Sequence, residues 1–352
     1  MNAFLVKDAW LKTAARWNMK VIDVHNHLYP KEWMDFLEGR AGSPTMVRTG
    51  PTSVIFYYEG VRLATVSNPG HYDPEPRMAD LDRYGIDIQV ISLTTPSVEL
   101  IPAAEGVVWA KKVNDYFAEV CERYKGRLYA MATLPYQDVR ESVKEMERAR
   151  RDLGAKGITL FSSIKELPIY SPELLPIYEA AEAYDMPIFI HPAPPLTTEV
   201  MKRVQMPLPL FGFILDTTMA VTGLIFQGIL ERFPKLKIIH AHLGGVFPYL
   251  VGRINDSFKS YAKDYGFTLP LLPSDYYKRN VYVDAISFHL PAMKCALEFL
   301  GPDHILIGTD YAHPIGGPER ILGCLKGLSL SARDEEKIFW KNASQLFKLG
   351  LL

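Results

Sequence analysis

Short apolar segments alternate with longer amphipathic segments along almost the whole chain. Helical periodicity fills most of the intervals, as at residues 105–124, 138–153, 172–184, 215–232 and 291–300. Eight strands that alternate with helices predict a (β/α)₈ TIM barrel. An open doubly wound sheet is the alternative, but no glycine-rich phosphate motif follows the first strand. The predicted strands are residues 20–25, 88–93, 128–133, 157–161, 187–191, 236–242, 281–286 and 305–310.

One interval between predicted strands is much longer than the others. Residues 40–76, after the first strand, are rich in Gly, Pro, Ser, Thr and Tyr and predict a small β-containing insertion. We expect one barrel domain over residues 1–352 that carries this insertion. Loops that follow barrel strands surround the active site, so the insertion and a second long connection, residues 193–213, are expected to roof it. Two roles remain open for the insertion: a lid over the active site, or a purely structural elaboration.

The charge balance narrows the class of ligand. Lys and Arg total 39 against 40 for Asp and Glu, which gives a formal net charge of −1 and no sign of nucleic-acid or membrane-surface binding. A small-molecule ligand is expected. The first 19 residues carry Lys7, Asp8, Lys12 and Arg16 instead of a secretory apolar core, and no uninterrupted apolar stretch of about 18 residues occurs. The expected location is therefore cytoplasmic.

Polar residues that bind metals stand at the ends of several predicted strands. Side chains alternate along a strand, so Asp23, His25 and His27 share one face and point into the lumen of a barrel. The fifth, sixth and eighth strands end in similar residues: His191, His240, His242 and Asp310. Barrel enzymes place their chemistry at this end, and imidazoles with one carboxylate suit Zn²⁺ or another borderline divalent ion with an open position. The pattern predicts a catalytic metal site.

Longer stretches around these residues resemble the amidohydrolase superfamily. The resemblance is specific to the amidohydrolase-related branch that includes aminocarboxymuconate-semialdehyde decarboxylase, and it runs from about residue 20 to residue 349. The matching stretches are residues 23–30 (DVHNHLYP), 73–77 (DPEPR), 230–237 (LERFPKLK), 242–245 (HLGG), 252–254 (GRI) and 308–311 (GTDY).

The resemblance implies roles for individual residues. It implies one divalent ion, Zn²⁺ with Mn²⁺ as the alternative, and His242 as the catalytic histidine. It implies that Arg253 reaches the substrate carboxylate in a neighbouring subunit, and hence a homodimer; a surface or interface salt bridge is the alternative role for Arg253. Arg62 matches a substrate-binding arginine of the insertion, although Asn68 stands nearer the expected position, which argues against an identical substrate. The implied metal ligands are His25, His27, His191 and Asp310, and Asp310 is also expected to accept a proton.

The expected activity is metal-dependent, non-hydrolytic decarboxylation of a small unsaturated or aromatic carboxylic acid. Hydrolysis of a lactone, an amide or a carbon–carbon bond is the alternative, as is hydration. Lys156 precedes the fourth strand instead of ending it, which favours one metal over two.

The remaining polar residues have less specific expectations. His240 is expected in the lumen behind the site, with a direct role left open, and His71 is expected to cap a turn or to replace the missing substrate contact. His289 and His313 follow strands seven and eight and either line the mouth or are ordinary loop histidines. Asp284 is expected to be a buried hydrogen-bonding partner, and His304 to be structural.

Overall fold

The computed structural model describes residues 19–351. Residues 1–18, on which the expected cytoplasmic location partly rests, lie outside the described residues, so that location stays a prediction. The strands are β1 (Ile22–Asp23), β2 (Thr45–Arg48), β3 (Val54–Tyr58), β4 (Val61–Val66), β5 (Ile88–Ile91), β6 (Leu128–Thr133), β7 (Gly157–Phe161), β8 (Ser163–Ile164), β9 (Leu167–Pro168), β10 (Ile188–His191), β11 (Ile238–His240), β12 (Val281–Asp284) and β13 (Ile305–Leu306).

Helices follow most of these strands. Short 3₁₀ helices at Pro69–His71, Val98–Leu100, Pro172–Leu174 and Pro302–His304 and a π-helical segment at Lys337–Lys341 complete the described elements. The α-helices are α1 (Lys31–Glu38), α2 (Pro74–Tyr84), α3 (Ala103–Arg123), α4 (Val139–Arg151), α5 (Leu175–Ala183), α6 (Thr198–Arg203), α7 (Leu208–Phe226), α8 (Ile229–Arg232), α9 (Ala241–Gly244), α10 (Phe247–Tyr261), α11 (Pro273–Asn280), α12 (Leu290–Leu300), α13 (Pro318–Lys326), α14 (Ala332–Glu336) and α15 (Asn342–Leu346).

Eight parallel strands form the barrel, in the order β1-β5-β6-β7-β10-β11-β12-β13. Each strand pairs with the next in parallel register, as where Ile188 of β10 faces Ile158 of β7 and Ile238 of β11. The barrel closes between its first and last strands, where the Val24 amide donates a 2.9 Å hydrogen bond to the Ile307 carbonyl. The predicted TIM barrel is confirmed. Its strands are buried on both faces, which explains their nearly continuous apolar sequences.

Five predicted strands, the first, second, sixth, seventh and eighth, end earlier than the sequence suggested, and in the sixth and eighth the difference matters for the site. β11 ends at His240 and β13 ends at Leu306, so His242 and Asp310 lie beyond the strands. Both residues have left-handed backbone, with φ of 57° for His242 and 55° for Asp310, which cannot continue an extended strand. The chain turns sharply at each of them.

Apolar side chains fill the barrel interior away from the site. Ile22, Val90, Phe189 and Ile239 belong to one buried cluster inside the barrel. The same cluster includes Leu346 of α15, so the C-terminal helix covers the end of the barrel that lies opposite the site. Space for a ligand is therefore left at the carboxyl ends of the strands.

The two long connections take up positions above those strand ends. β2, β3 and β4 form an antiparallel sheet within the insertion at residues 40–76. The second connection, residues 193–213, contains α6 and the first turns of α7. Leu63 of the insertion packs with Met201 and Leu208 of the second connection. The two segments are joined by this small hydrophobic cluster.

The helix predicted over residues 215–232 is interrupted. α7 ends at Phe226, and α8 begins after Gly228, whose φ of 72° breaks the helical path. Among the described residues α7 alone is long and apolar enough to cross a membrane by length and composition, and half of its most apolar window is buried. Asp216 on its buried face accepts hydrogen bonds from Ser162 and from the Leu196 amide, which fixes α7 on the barrel.

Candidate metal centre and active site

The ends of three barrel strands bring four predicted ligands together. His25 and His27 follow β1, His191 ends β10, and Asp310 follows β13. The imidazole of His191 lies 5.3 Å from that of His25 and 4.6 Å from that of His27, measured between ring centroids. Asp310 Oδ1 lies 3.5 Å from the Nε2 atom of each of these two histidines. Three segments distant in sequence thus converge on one point.

The spacing of the donor atoms fits a divalent ion. Metal–nitrogen bonds of about 2.1 Å in tetrahedral geometry place neighbouring ligand atoms roughly 3.4 Å apart, close to the 3.5 Å separations found here. Ligand atoms of His25, His27 and His191 all lie within 4.8 Å of one another. Within residues 19–351, the buried Nε2 atoms of His25 and His27 have no hydrogen-bond partner. Buried polar atoms without partners are costly, so an ion that accepts their lone pairs suits this site.

The other nitrogen of each imidazole is already engaged. His25 Nδ1 lies 2.6 Å from Asp284 Oδ2, and His27 Nδ1 lies 3.0 Å from Ser92 Oγ. His191 Nδ1 lies 3.2 Å from the Pro192 carbonyl. A hydrogen bond at Nδ1 fixes the tautomer and leaves the Nε2 lone pair for a metal. In all three histidines, Nε2 is therefore the nitrogen left to bind a metal.

Burial keeps most of these imidazoles neutral. It lowers the pKa of His27 and of His191 well below the ordinary value, and the neighbouring histidines lower both further. Burial also lowers the pKa of His25, but Asp284 and Asp310 outweigh it, so the net shift of that pKa is upward. The pKa of Asp310 is lowered because the surrounding histidines outweigh its burial. Neutral imidazoles and a charged carboxylate are the forms that bind metal.

His242 lies beside this cluster on a strained turn. Four consecutive residues, His242 to Gly245, have positive φ. Asp284 stabilises the turn, since its carboxylate accepts the amides of His242 at 2.9 Å and Leu243 at 3.0 Å. The His242 ring lies 5.0 Å from that of His25, and burial lowers its pKa to about 4. A neutral imidazole that carries no Nδ1 partner among the described residues can accept and return a proton.

A cavity of about 830 Å³ opens over the cluster. His191, His242 and Asp310 line it, and both long connections contribute to its wall. Arg62 of the insertion also lines it, as the substrate-binding prediction requires. Arg253 does not: it is exposed on α10 and is not one of the residues lining the cavity of its own chain. The structure of one chain therefore brings together every predicted site residue except Arg253.

His313, expected either to line the mouth or to be an ordinary loop histidine, lies in the site. It lines the cavity, and its donor atoms group with those of His27 and Asp310. His71, expected to cap a turn, ends the 3₁₀ helix Pro69–His71 and packs with its ring 4.5 Å from that of His313. The sequence signal for His313 was its position just after the eighth strand, three residues beyond Asp310.

The other histidines and Asp284 match their expectations. His240 is buried behind the site, with Nδ1 2.9 Å from the Tyr277 hydroxyl. His304 Nδ1 lies 2.9 Å from the Val281 carbonyl at the opposite end of the barrel, and His289 is exposed at the start of α12. Asp284 is fully buried and hydrogen-bonded, yet it contacts both the predicted metal ligand His25 and the His242 turn, which the sequence did not indicate.

An eight-stranded barrel with three imidazoles and a carboxylate at its mouth defines a metal-dependent enzyme of the amidohydrolase type. The chain belongs to the Amidohydrolase family (Amidohydro_2), whose family model matches residues 22–349. The predicted family and branch are thereby confirmed, because relatives in that branch are among the matches.

Three relatives illustrate the likeness. The chain is 28% identical to 2-amino-3-carboxymuconate-6-semialdehyde decarboxylase of Dictyostelium discoideum, covering 89% of this chain and 88% of that protein. It is 29% identical to gamma-resorcylate decarboxylase of Polaromonas sp. strain JS666, and the match covers 78% of this chain and 87% of that protein. The third is a crystal structure of 5-carboxyvanillate decarboxylase from Novosphingobium aromaticivorans, complexed with manganese and 4-hydroxy-3-methoxy-5-nitrobenzoic acid. Its sequence is 26% identical to this chain, and its fold matches with a TM-score of 0.82 over 96% of this chain and 98% of that one.

Proposed function

We propose that this protein is a metal-dependent, non-hydrolytic decarboxylase of a small aromatic carboxylic acid. The observation that carries the proposal is the convergence of His25, His27, His191 and Asp310 beneath one cavity that also contains His242. The relatives described above are decarboxylases that span most of this chain, and they support the same reaction class. The carbon–carbon lyase activity expected from the sequence agrees with the geometry of the site and with these relatives.

One divalent ion would be held by His25, His27, His191 and Asp310. Bound there, it supplies Lewis-acid stabilisation of negative charge on substrate oxygens. Zn²⁺ is our first choice for imidazole-rich ligands, and Mn²⁺ is the alternative because a related decarboxylase structure contains manganese. His313 and His242 each group with Asp310 and one ligand histidine, so either is close enough to adjust the geometry of the ligand set.

The residues of the chain account for binding and proton transfer. Arg62, which lines the cavity, would help to hold the substrate, since a guanidinium donates several hydrogen bonds to oxygen atoms of a ligand. Loss of CO₂ leaves an electron pair on a ring carbon, and a proton must reach that carbon. His242, which is neutral at pH 7, would first accept a proton from the substrate and then return it to this carbon. The Asp310 carboxylate is the second group positioned to hold a proton.

We also propose a homodimer in which Arg253 serves the partner's site. Arg253 is exposed on α10 and does not line the cavity of its own chain, so a role in substrate binding requires a second subunit. Mixing inactive Arg253→Ala subunits with inactive His242→Ala subunits tests this idea. Recovery of activity in the mixed dimer is expected, because one site then has both residues. If mixing restores nothing, Arg253 does not act across subunits.

The function itself is tested by measuring CO₂ release. Purified protein is loaded with Zn²⁺ or Mn²⁺ and incubated with hydroxylated benzoates and muconate-type acids, and in parallel with lactones and esters monitored by acid release. CO₂ from at least one acid, lost after chelation and restored by the metal, is expected. Acid release from lactones or esters without CO₂ from any member of the first panel would contradict decarboxylation and favour hydrolysis.

A further inference from the structure

The cavity is far larger than a one-ring acid requires. A hydroxybenzoate of about ten non-hydrogen atoms fills roughly 200 Å³ at protein-like packing density. The cavity over the metal-ligand cluster measures about 830 Å³. Several hundred cubic ångströms therefore remain beyond a ring whose carboxylate lies at the cluster.

The polar groups of the cavity lie mainly at its strand end. His191, His242 and Asp310 line it there. Thr94 and Thr95 follow β5 at the same end, and within residues 19–351 their buried hydroxyls have no hydrogen-bond partner. These groups suit the carboxylate and ring oxygens of a substrate, because unpaired buried hydroxyls gain most from a polar ligand.

The far wall is apolar and well packed. Leu63 of β4, Met201 of α6 and Leu208 of α7 line the cavity and belong to one hydrophobic cluster, distinct from the clusters of the barrel. Phe213 packs against this cluster and also faces the cavity. The two cations on this side have polar neighbours: Lys202 pairs with Glu199 at 2.7 Å, and Arg62 Nε donates to Thr65 at 2.9 Å. The wall offers mainly apolar surface to a ligand.

We propose that the substrate is an aromatic carboxylic acid with a sizeable apolar substituent, an alkyl chain of several carbons or a second ring, on the part of the ring away from the carboxylate. This inference rests on the proposed function, since it places the carboxylate at the metal-ligand cluster. The substituent occupies the space between the ring and the wall formed by Leu63, Met201, Leu208 and Phe213. It takes no part in the reaction, in which the carboxylate leaves as CO₂ and a proton replaces it on the ring.

The binding test uses ligands that cannot lose CO₂. A nitro group has the shape of a carboxylate, so 4-n-alkyl and 5-n-alkyl 2-nitrophenols with chains of zero to six carbons are titrated calorimetrically into Mn²⁺-loaded protein. In at least one series, Kd is expected to fall about fourfold for each added methylene, to a total of at least 100-fold at four carbons. A Kd that stays constant or rises with chain length in both series would overturn the proposal.

Matched variants show whether the chain lies in the cavity. Met206 lines the cavity and is 40% exposed, so Met206→Trp fills space without disturbing a packed core. This variant should lose the gain in affinity with chain length. Leu210→Trp adds the same ring at a position that is 55% exposed and does not line the cavity, and it should keep the gain. If both variants keep it, the chains bind elsewhere and the proposal is wrong.

Turnover separates this inference from the proposed reaction. The corresponding 4- and 5-alkyl 2-hydroxybenzoates are assayed for CO₂ with the same protein. No CO₂ from any chain length, nor from any other acid of the panel described above, together with a Kd that falls with chain length, would contradict decarboxylation but retain the apolar subsite. CO₂ from the unsubstituted acid, without any gain in kcat/KM for the alkylated acids, would contradict the apolar substituent and retain decarboxylation.

Discussion

His25 Nδ1 and Asp284 Oδ2 lie 2.6 Å apart, although 259 positions separate the two residues in the chain. The same carboxylate also accepts the amides of His242, Leu243 and Ile286. Asp284 thus joins His25, a proposed metal ligand, to the turn that carries His242, the proposed catalytic histidine. Its burial raises the pKa, but His25 outweighs that effect, so the pKa is lowered and the carboxylate stays charged.

Asp284→Asn should weaken metal binding. The asparagine oxygen can still accept the backbone amides, but its amide group then faces His25 and donates to Nδ1. His25 would carry its proton on Nε2, the atom that must bind the metal. We expect metal affinity to fall about 10- to 100-fold, measured by competition with a chromogenic chelator. Asp303→Asn, at an exposed site that pairs with Lys337, is the control and should leave affinity unchanged. Equal affinities in all three proteins would contradict this role for Asp284.

Removal of the metal should lower thermal stability. An ion that binds only the folded chain stabilises it by about 2.7 kcal/mol at a concentration 100 times Kd, which corresponds to roughly 4 °C in Tm for a chain of 352 residues. Chelation should reverse that gain, and calorimetry measures it. His27→Ala should show no gain on adding metal, whereas His289→Ala, at an exposed histidine, should behave as the unmodified protein does. A full gain in the His27 variant would remove His27 from the ligand set.

His242→Ala should separate metal binding from turnover. His242 is assigned proton transfer and not metal binding, so the variant should contain the same amount of metal while kcat falls about 10²- to 10⁴-fold. Elemental analysis and CO₂ release measure the two properties. A variant that loses its metal would show that His242 is a ligand, a position that its grouping with His25 and Asp310 permits. Unchanged kcat would place the proton transfer on another residue.

Glu99 should make the folded protein less stable as pH rises. The side chain is fully buried without a hydrogen-bond partner among residues 19–351, and burial raises its pKa to about 8. In the unfolded chain this carboxyl group loses its proton near pH 4.5, whereas in the folded chain it keeps the proton up to about pH 8. The free energy of unfolding is therefore highest below pH 4.5 and falls as the pH rises to about 8. The loss is about 3–5 kcal/mol. Glu99→Gln should remove it.

Urea unfolding at pH 5 and pH 8 measures this effect. The Glu99→Gln variant should gain stability relative to the unmodified protein by several kcal/mol more at pH 8 than at pH 5. Glu119→Gln, at an exposed position on α3, supplies the control and should show the same difference from the unmodified protein at both pH values. A Glu99 variant whose relative stability does not change with pH would show that this carboxyl group is charged in the folded state.

Local sequence patterns determined the barrel and the cluster of histidines and a carboxylate expected at its rim. Strand and helix periodicity depends on neighbouring residues, so the eight alternating units could be identified from the chain alone. Strand ends in a closed barrel all meet at one rim, so His25, His27, His191 and Asp310 could be expected to converge. Even the two roof segments followed from the lengths of the connections.

Only the tertiary structure decided which further residues complete the site. The left-handed turns at His242 and Asp310, the inclusion of His313 and the double contact of Asp284 all depend on elements that are distant in sequence. The same holds for the apolar wall, where Leu63 meets Met201 and Leu208. Contacts of this kind arise when the barrel closes and its long loops pack, and periodicity within one segment carries no information about the partner that will face it.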